Sequence, residues 1–572
     1  METRTITVMD AFERAVREFP DSVAVQTAGR TVDYREFGGL VEGVARRLRD
    51  RVPPTAFVGI LAERGIGAVV AMLGAMRARR PFVLLDGRDT TASNSAKVGL
   101  LDVQVLARPD AAGDVELTKV PAQWCGAGPA RRPATDGLSR TEGEVCYAIY
   151  TSGSTGEPKC VLVRAAPLDA VIGDHVERLA VGPGCATLQF ARLTFDGCIT
   201  EILWTLTAGA RLVVLEEAYL APGAALRDTL EQFGITHLKT TPFALTVTEP
   251  TAAMRLEHVI NGGGTCRLST VRSWSAVASF HNAYGLTETT VCNLLSPPLD
   301  PGDCLGSVPL GEPVGEFGYH LRPVADTTAP EGGVRRGELV LTGPAVAIGH
   351  LTDRGLRAFV LPDGTREYAT GDVVELRGGQ LYFIERVDRQ VKVRGYRLDP
   401  GEIENAVCRL DSVQEAVVVA ETHTGPDSTG ADALVCYYQG GPDARAVRRH
   451  LDALLDPYKV PSVLERIEAF PYTPNGKLDR DALRARRRAA DPPDRPGSAS
   501  AGGQVLQLVR RLTGTGDVEL EDNFFDVGGD SASAVVLVTR LRDWGWIDAG
   551  VRDVLRAENL RVLADRLPEA DG

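Results

Sequence analysis

The segment Tyr150-Thr-Ser-Gly-Ser-Thr-Gly-Glu-Pro-Lys159 is rich in glycine and hydroxyl residues and points to anion binding. It follows an apolar run, 145–149, that is typical of a buried strand. Small residues let the backbone approach a ligand closely, and their N–H and O–H groups can converge on one anion. A surface turn is the alternative, which the preceding buried strand disfavours. The segment does not match G-x-x-x-x-G-K-[ST], so a P-loop nucleotide hydrolase is not indicated.

Four other residues could do chemistry, and each has an ordinary structural alternative. Asp372 ends a Thr-Gly-Asp turn and Lys477 follows an Asn-Gly pair, and such patterns are more often plain turns. Ser531 stands just before an amphipathic helical pattern, where serine is a common N-cap but is also accessible to modification. Asp196 likewise lies where a helix is expected to begin, so N-capping is its alternative.

The composition narrows the classes of partner. A formal net charge of −13 disfavours nucleic acid, because a phosphate backbone is bound mainly through excess Lys and Arg. The ten cysteines are scattered singly without a C-x-x-C pair, which favours reduced core residues over a zinc site. The N-terminus has no cleavable apolar leader, and the longest apolar stretch, 68–76, is too short for a bilayer span. We therefore expect a cytoplasmic protein without a membrane partner.

The chain has 572 residues, too many for one hydrophobic core, and the pattern of apolar and polar residues changes along its length. In 1–387, short β-rich runs alternate with Ala- and Leu-rich helical stretches, which predicts α/β layers with mainly parallel sheets. A smaller α+β unit is predicted for 388–487. The Pro-, Gly- and Ser-rich segment 488–503 indicates a flexible linker. Apolar residues at helical spacing in 504–570 predict a small helical bundle.

Taken in order, these segments resemble the adenylate-forming superfamily, which includes nonribosomal peptide synthetase adenylation domains, acyl-CoA synthetases and luciferases. The resemblance extends over nearly the whole chain. The glycine- and hydroxyl-rich segment is similar to the family's phosphate loop. The other matching segments, in chain order, are Asn282-Ala-Tyr-Gly-Leu-Thr-Glu-Thr-Thr290, Gly337-Glu-Leu-Val-Leu-Thr-Gly-Pro-Ala345, Tyr368-Ala-Thr-Gly-Asp372, Arg386-Val-Asp-Arg-Gln-Val-Lys-Val-Arg-Gly-Tyr-Arg397, Gly401-Glu-Ile-Glu404 and Pro474-Asn-Gly-Lys477-Leu-Asp-Arg480.

The resemblance implies ATP and Mg²⁺ as cofactors and a role for each matched residue. Lys477 would touch both the substrate carboxylate and the ATP α-phosphate, because a mobile ammonium can neutralise two anions in the transition state. Glu288 would hold Mg²⁺, since a hard cation requires oxygen ligands. Tyr284 would stack on adenine, and Asp372 would accept the ribose hydroxyls. The other implied catalytic and nucleotide-binding residues are Thr151, Ser152, Ser154, Thr155, Gly156, Lys159, Thr287 and Arg386.

The resemblance also implies a hinge and a carrier domain. Asp388 matches the hinge about which 388–487 would swing, and Glu385 stands before Arg386 where the family usually has glycine. The segment Asp522-Asn-Phe-Phe-Asp-Val-Gly-Gly-Asp-Ser531 resembles the attachment motif of carrier proteins. It implies 4′-phosphopantetheine on Ser531 and a four-helix peptidyl carrier bundle in 504–570. The implied partners are a phosphopantetheinyl transferase and downstream carrier-dependent biosynthetic enzymes, with a small activator protein left open.

The acid-binding positions can also be transferred from the resemblance. Asp196 matches the aspartate that amino-acid-activating members place against the substrate ammonium. The other positions are Thr200, Lys239, Ile260, Gly262, Ala283, Val291 and Cys292. Lys239 is the informative one, because a buried lysine rejects substrates that leave its charge unpaired; its alternative is to point outward from its strand. The set resembles aspartate- and asparagine-activating pockets, and the small Ala283 would admit a β-substituted aspartate.

The predicted function is ATP-dependent activation of an amino acid as aminoacyl-AMP and its transfer to the arm on Ser531. No condensation or thioesterase segment flanks the pair, which suggests a stand-alone loading module in nonribosomal peptide or hybrid natural-product biosynthesis. Two alternatives stay open. One is an adenylate-forming ligase that loads a β-amino or other acyl acid. The other is a non-catalytic scaffold for the carrier domain, which the intact Lys477, Asp372 and Glu288 disfavour.

Overall fold

The computed structural model describes most of the chain. The described residues are 6–110, 112–124, 145–151, 159–304, 307–324, 335–387, 391–393, 396–410, 413–421, 433–471, 480, 482–483, 501–513, 518–529, 533–534, 537–538, 540–541 and 550–565. Of the helices in these ranges, none has both the length and the hydropathy that a bilayer span requires.

A nine-stranded sheet forms one layer of the large body. Its strands, in spatial order, are Glu312–Pro313, Leu294–Leu295, Ser279–Tyr284, His258–Asn261, His237–Thr240, Ala186–Leu188, Arg211–Val213, Val23–Gln26 and Thr31–Asp33. The six from Ser279–Tyr284 to Val23–Gln26 pair in parallel. Because the carboxyl ends of parallel strands meet at one edge, Lys239 and Ala283 come from adjacent parts of that edge.

An eight-stranded sheet forms the second layer. Its strands, in spatial order, are Gly355–Ala358, Gly349–Thr352, Lys159–Arg164, Val145–Thr151, Phe82–Leu85, Val58–Leu61, Val105–Pro109 and Val115–Lys119. Only the four strands from Val145–Thr151 to Val105–Pro109 pair in parallel, and the remaining pairings are antiparallel. Both large sheets are therefore mixed, with parallel centres and antiparallel edges, where the sequence predicts mainly parallel ones.

Helices pack against these sheets. Those of the large body are Val8–Glu18, Tyr34–Arg51, Ile66–Ala78, Thr91–Leu100, Ala166–Arg178, Gly197–Thr207, Glu217–Leu220, Ala224–Gln232, Pro242–Val247 and Leu268–Trp274. Ile66–Ala78 is apolar on nearly every side and almost fully buried, as expected of a helix enclosed by other elements. Thr7 and Asp33 cap the first two helices through hydrogen bonds to backbone N–H groups.

Before the C-terminal part, the described residues form three smaller sheets besides the two large ones. Four antiparallel strands, Gly318–Arg322, Arg335–Thr342, Glu367–Arg377 and Gln380–Arg386, complete the large body. The small subdomain has the hairpin Val391–Val393 and Tyr396–Leu398 and the three-stranded sheet Val413–Glu421, Ala433–Gly440 and Val463–Ile467. Its helices are Pro400–Val407 and Ala444–Leu454. The hinge residue Asp388 lies outside the described residues.

The described residues of the C-terminal part contain helices and, at 518–529, turns. Its helices include Ala501–Thr513, which begins inside the segment predicted as linker, Val551–Arg556 and Leu560–Asp565. The apolar positions that the sequence predicts as the bundle core, such as Val505, Leu537 and Leu563, are buried in one cluster. The same cluster contains Ala221 and Ala225 of the large body, so the C-terminal part packs against that body.

Candidate functional site

Two cavities meet at Thr151 and Glu288. The first has a volume of about 540 Å³ and is lined by residues of the large body, including Lys159 and Tyr368. The second has a volume of about 690 Å³ and is lined by all three parts of the chain: Asp196 from the large body, Tyr396 and Tyr458 from the small subdomain, and Phe525, Gly528 and Gly529 from the C-terminal part. A molecule in the second cavity can therefore contact every part of the protein.

Glu288 is a buried carboxylate at the junction of the cavities. It lies in the short 3-10 helix Thr287–Thr289 and is 3% exposed. Its Oε1 accepts a hydrogen bond of 2.9 Å from the Tyr368 hydroxyl and lies 3.2 Å from Nε2 of His350. These two neighbours orient one carboxylate oxygen. An oriented carboxylate at a cavity junction has the oxygen chemistry that a hard divalent cation requires.

Tyr284, Asp372 and Arg386 form a connected group beside the cavities. The Tyr284 hydroxyl donates a hydrogen bond of 2.6 Å to Oδ2 of Asp372, and Arg386 donates to Oδ1. Burial raises the pKa of Tyr284 well above its usual value, and the adjacent carboxylate adds to this effect. The Lys392 ammonium lies 5.8 Å from the centre of the Tyr284 ring. Asp372 is thus held between a phenol and a guanidinium, with its carboxylate close to the aromatic face.

Asp196 lies at the other end of the second cavity. It occupies the N-cap position of the helix Gly197–Thr207, but its side chain makes no capping hydrogen bond. Its Oδ2 atom is buried and has no hydrogen-bond partner among the described residues. Burial raises the pKa of Asp196, while hydrogen bonding to Thr287 and the charge of Lys239 act in the opposite direction. A buried carboxylate oxygen without a partner is suited to a cationic ligand group.

Lys239 faces the second cavity and does not point away from the site. Its Nζ donates a hydrogen bond of 2.7 Å to Oγ1 of Thr200 and lies 5.8 Å from the centre of the Trp204 ring. Gly262 lies next to this side chain, since a Cβ there would be in van der Waals contact with Cε of Lys239 at 3.4 Å. Asp196 and Lys239 therefore place opposite charges on one cavity wall.

The other predicted acid-binding residues fall into two groups. Gly262, Ala283, Val291 and Cys292 line the second cavity. Thr200 and Ile260 are buried and are not part of its wall, although Ile260 pairs with Lys239 across neighbouring strands. The predicted residues Ser152, Ser154, Thr155, Gly156, Lys477 and Ser531 lie outside the described residues.

Glu201 lines the second cavity, and the sequence analysis does not identify it. Its carboxylate accepts hydrogen bonds from the backbone N–H of Ala191 and from Nε2 of Gln189. Burial raises the pKa of Glu201 to about 7, although the charge of Lys239 opposes the rise. A sequence signal existed, because Glu201 is the one charged residue in the otherwise apolar helix Gly197–Thr207.

Arg448 of the small subdomain lies against the C-terminal part. Its Nη2 donates hydrogen bonds of 2.7 Å and 3.1 Å to the carbonyls of Pro461 and Ser462. A Cβ at Gly528, where φ is +100°, would lie 2.8 Å from Cζ of Arg448. The guanidinium therefore lies directly against the turn that precedes Ser531 in the chain.

Family models match three consecutive parts of the chain. The model described as AMP-binding enzyme matches residues 12–351, more than half of the chain. The chain belongs to the AMP-binding enzymes. The AMP-binding enzyme C-terminal domain matches 402–477, and the phosphopantetheine attachment site matches 503–567. This AMP-binding enzyme therefore combines an adenylation domain with a carrier domain. Adenylate-forming enzymes use ATP and Mg²⁺, and the carrier domain bears 4′-phosphopantetheine.

Curated relatives share the same arrangement over the full chain. Novobiocin biosynthesis protein H of Streptomyces niveus is 31% identical over 95% of this chain and 93% of its own length. Bacitracin synthase 3 of Bacillus licheniformis is 30% identical over 98% of this chain, but the AMP-binding enzyme spans only 9% of that relative. The chain therefore corresponds to one part of some relatives and to nearly the whole of others.

Solved structures show the same fold. Holo-PA1221, described as an NRPS protein containing adenylation and PCP domains, superposes with a TM-score of 0.77 and 24% identity. The alignment covers 98% of this chain and 96% of that one. The Vibrio cholerae adenylation domain AlmE superposes with a TM-score of 0.71 and 20% identity, over 86% of this chain and 99% of that one. The fold is thus that of adenylate-forming proteins, with mixed sheets.

Proposed function

We propose that this AMP-binding enzyme activates an aspartate-like amino acid as aminoacyl-AMP and transfers it to the phosphopantetheine thiol on Ser531. The observation that carries the proposal is the second cavity, which extends from the unpartnered oxygen of Asp196 to the turn at Gly528 and Gly529. One continuous space supports both the binding of an amino acid and the entry of a thiol from the carrier domain.

In the first step, the substrate carboxylate attacks the α-phosphorus of ATP, aminoacyl-AMP forms and pyrophosphate leaves. Asp196 binds the substrate ammonium, and Lys477 brings the two anionic reactants together. Asp372 accepts the ribose hydroxyls and Tyr284 stacks on the base. Glu288 would hold Mg²⁺, which when bound would neutralise phosphate charge. Thr151 borders both cavities and lies where the amino acid and the nucleotide meet.

In the second step, the small subdomain turns about Asp388 and Lys477 leaves the site. Tyr396 and Tyr458 then form part of the channel wall, as they do in the described arrangement. When phosphopantetheine is bound to Ser531, its thiol would accept the aminoacyl group, with formation of a thioester bond, cleavage of the acyl–phosphate bond and release of AMP. Phe525 and the Gly528–Gly529 turn border the channel at the carrier end. A Pro-, Gly- and Ser-rich sequence before the first carrier helix is typical of a linker, which would permit this approach.

Lys239 supports an acidic side chain in the substrate. Its ammonium is in the cavity and shares its wall with Asp196, so one amino acid can meet Asp196 through its ammonium and Lys239 through its side-chain oxygen. A substrate without that oxygen leaves the lysine unpaired, which is unfavourable in a buried site. Ala283 leaves room for a substituent on the β-carbon.

ATP–pyrophosphate exchange over the protein amino acids, β-hydroxyaspartate, β-methylaspartate, β-alanine and aryl acids tests the first step. We expect exchange with aspartate, asparagine or a β-substituted aspartate, and its loss in Asp196→Ala. Asp228→Ala is the control, because Asp228 is 61% exposed and lies on the outer helix Ala224–Gln232. Exchange that persists in Asp196→Ala would support the rival ligase for β-amino or other acyl acids.

Intact-mass measurement tests the second step. After treatment with a phosphopantetheinyl transferase, ATP and the activated acid, the wild type should gain the mass of the arm and then of the aminoacyl group. Ser531→Ala should gain neither and should retain exchange. Absence of exchange with every acid in the panel would favour the scaffold alternative.

A further inference from the structure

A buried ammonium, Lys97 Nζ, joins carboxylates from two parts of the chain. It lies 2.5 Å from Oδ2 of Asp89 in the large body and 3.3 Å from Oδ2 of Asp456 in the small subdomain. The three side chains are 10%, 6% and 3% exposed. Buried groups of this kind interact far more strongly than surface ion pairs, because water screens them little. The cluster therefore lies at the joint between the two parts.

The cluster adjoins both the nucleotide end and the channel end of the site. The hydroxyl of Tyr150, the first residue of the glycine- and hydroxyl-rich segment, donates a hydrogen bond of 2.5 Å to the Lys97 carbonyl. Asp456 precedes Tyr458, whose ring stacks on Tyr396 at 4.7 Å. The Tyr396 ring in turn lies 4.4 Å from that of Phe195 in the large body. The charge cluster is thus connected to the aromatic groups that border the channel. Tyr458 is close to Asp456 in the chain, and Tyr396 packs on Tyr458.

The charges of the cluster differ between two positions of the small subdomain. Lys97 and Asp89 both belong to the large body and remain a neutral pair wherever the small subdomain lies. Asp456 arrives with the small subdomain and brings a second carboxylate into a buried space. Its Oδ1 atom has no hydrogen-bond partner among the described residues, so Lys97 is the group that meets its charge there. Without this ammonium, two carboxylates would face each other at close range.

We propose that Lys97 is a positioning residue for the transfer step, holding the small subdomain through Asp456 in the arrangement that forms the channel. This role rests on the proposed function, since it matters only if adenylation and transfer use different positions of the small subdomain. Lys97 touches neither substrate nor nucleotide in this role. It acts by stabilising one of the two positions.

The test separates the two half-reactions in the full-length holo protein. The probes are ATP and whichever acid in the panel gives the fastest wild-type exchange. For Lys97→Met we expect exchange within about twofold of the wild type, because the adenylating position does not need Asp456 near Lys97. Single-turnover loading of the carrier should fall by roughly 100-fold or more, the range expected when one partner of a buried ion pair is removed.

Two further variants distinguish positioning from a general structural role. Lys97→Arg should restore most of the loading, since the charge is kept. Asp456→Asn should recover loading in the Lys97→Met background, because it removes the carboxylate that no longer has a counter-charge. Asp456→Asn alone should reduce loading, but less than Lys97→Met does, because it removes the attraction to Lys97 without leaving a buried carboxylate that lacks a counter-charge. Loss of a merely structural contact would not be recovered by a second substitution of this kind.

Lys459→Met is the matched control. Lys459 lies 2.7 Å from Glu402, and the side chains are 13% and 9% exposed, but both residues belong to the small subdomain. The ratio of loading to exchange should therefore stay at the wild-type value. If Lys97→Met does not fold, Asp456→Lys takes its place, because it puts two ammonium groups at the joint while leaving the large body intact. It should reduce loading and spare exchange.

Several results would overturn the role of Lys97. These are wild-type loading in Lys97→Met, an equal fall in loading and exchange, no recovery on adding Asp456→Asn, or wild-type loading in Asp456→Lys. Absence of exchange in the wild type would instead refute the proposed function. The two failures are therefore distinguishable in one set of assays.

Discussion

The Tyr284 hydroxyl donates a 2.6 Å hydrogen bond to Oδ2 of Asp372, although the two residues are 88 positions apart in the chain. Tyr284 ends a strand of the nine-stranded sheet, and Asp372 lies in the four-stranded sheet. The bond connects two sheets at the point where the proposed adenine and ribose contacts are made. This hydrogen bond fixes the position of the Tyr284 ring relative to the Asp372 carboxylate before a nucleotide binds.

Tyr284→Phe should weaken ATP binding and preserve the chemistry. The substitution keeps the ring but removes the hydrogen bond to a carboxylate, a loss of about 1–2 kcal/mol. We expect KM for ATP in the exchange assay to rise roughly 5- to 30-fold, with kcat within about threefold. Arg386 continues to hold the other oxygen of Asp372, so the carboxylate is not released.

Tyr382→Phe is the control for this prediction. Its hydroxyl makes a long contact of 3.5 Å with Gln380, and it lies on the strand Gln380–Arg386 near the same sheet. Its KM for ATP should equal that of the wild type. If Tyr284→Phe also leaves KM unchanged, the hydrogen bond to Asp372 does not support nucleotide binding.

Lys239→Met should change which acid is activated. The substitution keeps the apolar stem and removes the ammonium that faces the cavity, so an acidic substrate loses its partner. We expect kcat/KM for aspartate to fall about 100-fold or more, while KM for ATP stays constant. Exchange assays with aspartate and with neutral acids of similar size measure the change. Lys119→Met is the control, because Lys119 is exposed at the end of a strand, and it should not change the activity. Retention of aspartate activity in Lys239→Met would contradict the proposal that Lys239 binds the acidic side chain of the substrate.

The free energy of unfolding should depend on pH through Glu201. Burial raises its pKa from the usual 4.5 to about 7, so between these values the folded protein holds a proton that the unfolded chain has released. The free energy of unfolding therefore decreases as pH rises through this window, by at most about 3 kcal/mol. Glu201→Gln removes this titration, so its melting temperature should fall less than that of the wild type between pH 5 and pH 8. Parallel melting curves of the two proteins would refute the shift.

The ordered motifs predicted the family of the chain, but they did not predict the arrangement of its sheets. Local patterns mark a strand, a glycine-rich turn or a helix start, because these depend on neighbouring residues. Whether two strands pair in parallel depends on partners far along the chain. Val145–Thr151, for example, pairs in parallel with Phe82–Leu85 on one side and antiparallel with Lys159–Arg164 on the other. The mixed character of the sheets was therefore not predicted.

Contacts between domains were the other part that the sequence did not predict. Lys97 is one of seven lysines in the chain and stands in a polar helical pattern that marks no partner, and Asp456 precedes a proline in an ordinary turn pattern. Their meeting depends on how two folded units pack, which no local periodicity encodes. Glu201 differs from Lys97 and Asp456 in this respect. A single carboxylate in a mostly apolar helix indicates a buried charge, and a buried charge is rare unless it has a partner or a function. A charged residue inside an apolar pattern is thus a sequence feature from which a further residue of a site can be predicted.

Gly528→Ala should impair loading of the carrier without affecting adenylation. The backbone at Gly528 has φ of +100°, and an added Cβ would lie 2.8 Å from the Arg448 guanidinium. Two effects therefore combine: strain in the left-handed region and displacement of the small subdomain from the carrier turn. Gly184→Ala separates them, because Gly184 has φ of +94° with open space around the added atom. Strain of order 1 kcal/mol is common to both variants. Single-turnover loading should therefore fall about tenfold or more in Gly528→Ala but not in Gly184→Ala. Equal loading in the two variants would mean that the contact with Arg448 has no role in transfer.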